Sequence, residues 1–91
     1  EGLTLSLAAE LSPDIRVNCI APSLTESNLS KNILSNENIK KAIEKMHPIP
    51  KLGEAKDYSK LAAFLIGRDN KWVTGQIIHV DGGRSTLRIR A

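Results

Sequence analysis

Helical and strand-like stretches alternate along these 91 residues, and that alternation predicts an α/β fold with a parallel sheet and right-handed crossovers. Two stretches carry the strand character. "IRVNCIAP" is apolar almost without a break, at Ile15, Val17, Cys19, Ile20 and Ala21, which predicts a strand covered on both faces rather than one with a wet side. "QIIHV" is a second short apolar run, and it halts at "DGG", where tandem glycines offer backbone angles that other residues resist.

The elements follow in order. "EGLTLSLAAEL" reads as a helix already under way, with Leu3, Leu7 and Leu11 recurring every four residues beside Ala8. Leu5 and Ala9 widen the apolar stripe, so this helix is expected to pack on a sheet and on something else as well. Ser12-Pro13-Asp14 ends it, because proline disfavours helical backbone in the residue before it. The first strand then runs from Val17 to Ala21 and closes at Pro22. Residues 29–46 carry apolar spikes at Leu29, Ile33, Leu34, Ile39, Ile43 and Met46 among polar groups. They read as two short amphipathic helices broken near "SNEN", with Ser35 or Asn36 capping the second. "HPIPKLG" is a connector, since two prolines two apart forbid regular helix. From Glu54 to Ile66 a helix returns, with Tyr58, Leu61, Ala62 and Leu65 on its buried face, acids in its first turn and Gly67 as terminator. "RDNKWVTG" is a loop whose Trp72 is expected to pack over the sheet's edge, and "QIIHV" closes the series.

Composition excludes several classes. The chain is 41% hydrophobic and 25% charged, the balance of an ordinary soluble domain, and its length suits one small domain. No apolar run approaches the roughly 20 residues of a membrane span. A net charge of +3 with three aromatic residues lacks the dense basic face and stacking rings of a nucleic-acid binder. The lone Cys19 forms no internal disulfide and fits a reducing, cytoplasmic setting. His47 and His79 share no metal-ligand spacing with it, so no metal site is expected and both histidines read as structural. Two strands cannot cover both faces of a sheet, so the apolar content demands further strands, from more chain or from another subunit. The helix already under way at residue 1 likewise reads as the tail of something longer.

The residues themselves resemble a known family. "GLTLSLAAELSPDIRVNCIAPS" is similar to the stretch that follows the Tyr-x-x-x-Lys motif of the short-chain dehydrogenases/reductases. "PIPKLGEAKDYSKLAAFLIGRDNKWVTGQIIHVDGG" resembles their closing helix, Thr-Gly turn and final strand. The resemblance covers nearly the whole chain. It implies the C-terminal part of a doubly wound Rossmann-type parallel sheet, spanning residues 1–91, with a substrate-side lid at about 28–46. The implied activity is an NAD- or NADP-dependent oxidoreductase moving a hydride to or from a carbonyl or alcohol of a small-molecule substrate.

Ligands of such folds bind at the carboxyl ends of the strands, and the hydroxyl-rich segment after Pro22 stands there. The family pattern Pro-Gly-x-Val/Ile-x-Thr maps onto Pro22, Ser23, Leu24, Thr25 and Ser27. Ser23 stands where glycine is usual, Thr25 where an aliphatic residue is usual and Ser27 in place of threonine. A nicotinamide carboxamide offers donors and acceptors, which backbone near Thr25 and the Ser27 hydroxyl can meet. Leu29 and Ile33 are the candidate substrate-binding residues. Asn18 corresponds to a strand asparagine that ties backbone together, and Asp81 to a turn former.

No catalytic residue is assigned. "YSKLA" spaces Tyr58 and Lys60 by two rather than four, and no Gly-x-x-x-Gly-x-Gly occurs. The 91 residues alone are therefore expected to be inactive. Two readings follow: the nicotinamide-side loop and lid of a homo-oligomeric reductase, or a non-catalytic assembly element of the same fold.

Overall fold

A computed structural model describes residues 1–26 and 29–89. Six elements follow one another: α1 (Gly2–Leu11), β1 (Cys19–Pro22), α2 (Lys31–Ser35), α3 (Glu37–Glu44), α4 (Ala55–Ile66) and β2 (Ile77–Val80). β1 and β2 pair in parallel, Cys19 opposite Ile77 and Pro22 opposite Val80, so α2, α3 and α4 all lie in one crossover. The α/β architecture with parallel strands is the one the sequence predicts.

β1 begins two residues later than the apolar run suggested, and runs Cys19–Pro22 rather than Val17–Ala21. At its entrance side chains do most of the bonding, beside one backbone bond from Gly75 N–H to Val17 O at 2.8 Å. Val17 N–H donates to Thr74 Oγ1 at 3.1 Å, while the Asn18 amide donates to the Val73 carbonyl and accepts from Gln76 N–H, each at 3.0 Å. Asn18 is thus the backbone tie that was expected. From Cys19 onward the backbone takes over, Cys19 N–H donating to Gln76 O at 2.8 Å.

Local sequence signals explain the helices. Ser30 caps α2 by accepting from Ile33 N–H at 3.3 Å, and the Asn36 side-chain Oδ1 caps α3 by accepting from Asn38 and Ile39 N–H. At the start of α4, Asp57 accepts from Glu54 N–H at 2.8 Å. Its far end is held from outside: the Arg16 guanidinium donates to Leu65 O at 2.7 Å and also reaches Val73 and Gly67 carbonyls. A cation on the last carbonyls of a helix satisfies groups that have no intrahelical donor. Asn70 Nδ2 adds a bond to Phe64 O.

α4 packs against β1. Ala8, Leu52 and Leu65 are the deeply buried apolar side chains among the described residues. Leu3, Leu5, Phe64 and Ile66 face outward, so α1 and α4 each bury one side and present another. Trp72 corrects an expectation: it does not cover the sheet's edge but stands 98% exposed on its loop. Among the described residues no helix is long and apolar enough to cross a membrane.

Candidate functional site

The segment leaving β1 is held by a second, distant piece of backbone. Thr25 and Gly53 form a parallel bridge: Gly53 N–H donates to Leu24 O and Glu26 N–H donates to Gly53 O, both at 3.1 Å. In a parallel bridge the central residue's own N–H and C=O point to the side away from the partner. Thr25, 5% exposed, therefore aims its backbone away from Gly53. Opposite it, a Cβ on Gly53 would stand 3.0 Å from Thr25 Cγ2 and meet the Tyr58 hydroxyl, so a side chain there would have to displace the Tyr58 ring.

Ser23 departs from the glycine usual in the resembling pattern, yet costs no backbone strain. Among the described residues no residue other than glycine has positive φ. Its hydroxyl lies 2.9 Å from His47 Nε2, and His47 Nδ1 lies 3.0 Å from the Ile43 carbonyl. The His47 ring is buried, 3% exposed.

Three hollows surround this segment at the carboxyl ends of the strands. One of about 220 Å³ is bounded by Ser23, His47, Lys51, Tyr58, Val80 and Asp81. A shallower cleft of about 680 Å³ runs past Pro22, Ser23, Leu24, His79, Arg84 and Ser85. A third, about 480 Å³, lies between Thr25 and α4, with Ile20, Pro22, Ala55 and Tyr58 in its wall. Pro22, Ser23, Leu24 and Thr25 thus share one locus. Ser27 lies outside the described residues. Leu29, just before α2, and Ile33, within it, stand half-buried and line none of these three hollows.

Charge in the first hollow is tied down. Lys51 Nζ meets Asp57 Oδ2 at 2.6 Å. That bond, then the Glu54 N–H, holds the Asp57 carboxyl below the usual carboxylate range. The same bond raises Lys51 above its ordinary value. Burial, followed by the neighbouring Asp57 charge, pushes the Tyr58 phenol up, so it stays protonated and can donate. Asp81 is the turn former the sequence suggested. Its two oxygens accept from Gly83 N–H at 2.9 Å and Ser85 N–H at 3.1 Å, with Gly82 and Gly83 at φ +62° and +89°. Its pKa is lowered, first by the Ser85 hydroxyl.

His47 and Gly53 are the members of this site that sequence reasoning undervalued. His47 meets Ser23 across 24 residues with no spacing to announce it. The one available signal was the extra hydroxyl at position 23, which needs a partner if covered.

Comparison with known proteins follows the same line. Residues 1–85 match the family described as "Enoyl-(Acyl carrier protein) reductase". The chain is 45% identical over 83 residues to the 3-oxoacyl-[acyl-carrier-protein] reductase FabG of Buchnera aphidicola, covering 90% of this chain and 33% of that protein. It is 37% identical over 82 residues to the tropinone reductase-like 3 of Erythroxylum coca, covering 90% and 32%. Among solved structures, ElxO with NADP bound superposes with a TM-score of 0.83 at 35% identity, over 94% of this chain and 36% of that one. A 4-hydroxyisoleucine dehydrogenase complexed with NADH gives 0.84 at 26% identity, over 96% and 36%. The chain spans about a third of the length of the proteins it matches.

Proposed function

This chain belongs to the short-chain dehydrogenase/reductase family, and from that premise we propose that it is the C-terminal part of an NAD(P)-dependent oxidoreductase acting on a carbonyl or alcohol. Residues 22–27 hold the nicotinamide half of the dinucleotide, and the segment at about 28–46 is the substrate-side lid. The dinucleotides in the matched solved structures, NADP in one and NADH in another, support this choice of cofactor.

The observation that carries the reading is the Thr25–Gly53 bridge at the carboxyl end of β1. It consumes the Leu24 carbonyl and the Glu26 N–H and turns the Thr25 backbone to the opposite side. The bridge thereby fixes the course of the chain over Pro22–Thr25, at the strand ends where ligands of such folds bind. Pro22 contributes a fixed φ at the bend, and Ser23 and Leu24 form the wall of the adjoining clefts. When bound, the nicotinamide supplies or takes up the hydride; the residues named here orient it, which matters because transfer needs close alignment of the two carbons. The tyrosine–lysine pair and the glycine-rich phosphate loop are expected from sequence outside these 91 residues. The chain by itself then gives no turnover.

Calorimetric titration of the full-length protein with NAD⁺ and NADP⁺ tests this. Tight binding of at least one is expected, weakened on replacing Gly53 with valine, whose Cβ would press on the Tyr58 hydroxyl and on Thr25 Cγ2 and so disturb the bridge. Binding of neither, or binding indifferent to that substitution, refutes the assignment of residues 22–27.

A further inference from the structure

We propose that His47 is a positioning residue whose ring, anchored to α3, fixes the Ser23 hydroxyl and with it the segment that receives the nicotinamide half. The proposal rests on the reading of residues 22–27 given above. His47 lies three residues beyond α3 and is buried, 3% exposed, between two partners. Nδ1 is 3.0 Å from the Ile43 carbonyl in the last turn of α3, and Nε2 is 2.9 Å from Ser23 Oγ.

A carbonyl can only accept, so Nδ1 carries the proton. In the neutral ring Nε2 is then bare, and the Ser23 hydroxyl must donate to it. With its one proton committed to His47, Ser23 Oγ has only lone pairs to offer the clefts it lines. An acceptor in that position suits an amide N–H, as in a carboxamide, and disfavours a phosphate or carboxylate oxygen. The ring therefore does two things: it braces the post-β1 segment against α3, and it sets the polarity of Ser23.

The same spacing serves a nucleophile and its base elsewhere, but here Nδ1 is pinned by a carbonyl, not by a carboxylate able to stabilise an imidazolium. Asp81, which borders the same hollow, has both oxygens engaged by Gly83 and Ser85 N–H.

The test uses the full-length protein and splits the two bonds. Glutamine places its amide near where Nε2 stood and can still accept from Ser23; asparagine reaches only the Nδ1 position and keeps the Ile43 bond alone. His47→Asn and Ser23→Ala should each weaken dinucleotide binding about tenfold, the size of one lost buried hydrogen bond, with the double variant no worse than either. His47→Gln, which keeps an acceptor for Ser23 but loses the Ile43 anchor, should fall between wild type and His47→Asn on the same scale. In ¹⁵N spectra of the neutral ring, Nδ1 should be protonated and Nε2 bare.

Wild-type affinity in His47→Asn, additive losses in the double variant, or an Nε2–H tautomer would each overturn the proposal. Should the wild-type protein bind neither dinucleotide, the reading of residues 22–27 fails and takes this one with it. If wild type binds and His47→Asn binds equally well, only this proposal falls.

Discussion

Gly82 shows how a single position can be forced by two independent constraints. Its φ of +62° lies in the left-handed region, and a Cβ there would stand 3.0 Å from the Ile49 carbonyl oxygen. Gly75 shares the first constraint, φ +70°, but not the second, since its nearest neighbour would be Ala8 Cβ at 3.6 Å. The left-handed conformation alone costs an L-residue about 1–2 kcal/mol. Gly75→Ala should therefore cost about that much, and Gly82→Ala clearly more, because the backbone of residues 47–49 must also retreat. Thermal unfolding of the two variants checks the order; equal losses would show that crowding at Ile49 is relieved at no cost. The tandem glycine was visible in the sequence because "DGG" after an apolar run has a single mechanical meaning. The roles of Asn18 and Asp81 were visible for the same reason, each acting within its own turn or on the neighbouring strand. Ser23 with His47 was not, because a bond spanning 24 residues depends on where α3 lands rather than on any local pattern.

α4 illustrates the element scale, since side chains from outside its own span fasten both ends. At the start, Asp57 accepts from Glu54 N–H and pairs with Lys51 from the preceding connector. At the finish, Arg16 reaches across from the entrance to β1. The carboxyl of Asp57 titrates below its ordinary value, chiefly because of Lys51. A group with a depressed native pKa contributes stability above its unfolded pKa and loses it as pH falls through the native one. Lys51 is the mirror case: its raised pKa contributes fully below the ordinary lysine value and is lost as pH rises through the native one. Asp57→Asn keeps an oxygen for Glu54 N–H and removes only the charge. It should lower the melting temperature near neutrality, leave it unchanged in acid below the native Asp57 pKa, and show a smaller effect in high salt, because the pair is partly exposed. A deficit that persisted in acid would mean the carboxylate acts through packing instead. Helix periodicity and the acids of the first turn made α4 readable in advance. The start of β1 was misplaced because an apolar run records burial, while the ladder depends on which groups bond. At Val17 and Asn18 side chains make most of those bonds, beside the one backbone bond from Gly75 N–H to Val17 O.

For the whole molecule the governing fact is a mismatch between apolar surface and the means to cover it. Among the described residues two parallel strands leave an open edge on each side, and parallel sheets are otherwise found buried on both faces. Leu3 is 72% exposed, Phe64 58% and Ile66 80%, on helices whose opposite sides already pack inward. Single exposed leucines are unremarkable, but an unpaired sheet edge together with outward apolar residues on α1 and α4 is a surface that calls for a partner. The α/β class was legible because burial on two faces leaves its mark on every residue of a strand. What covers those faces was not, since no pattern within these residues names the covering group. Matched proteins about three times as long are consistent with cover from further chain, and the homo-oligomer expected from the sequence with cover from another copy. Either way, the 91 residues produced alone should not behave as a monomer. Size-exclusion chromatography with light scattering should give a mass above the monomer that grows with concentration. Supplying the remainder of the protein in trans should cut that self-association, because the missing strands compete for the same edges. A monodisperse monomer with a cooperative melting transition would show instead that two strands and four helices suffice, and the demand for covering strands would be wrong.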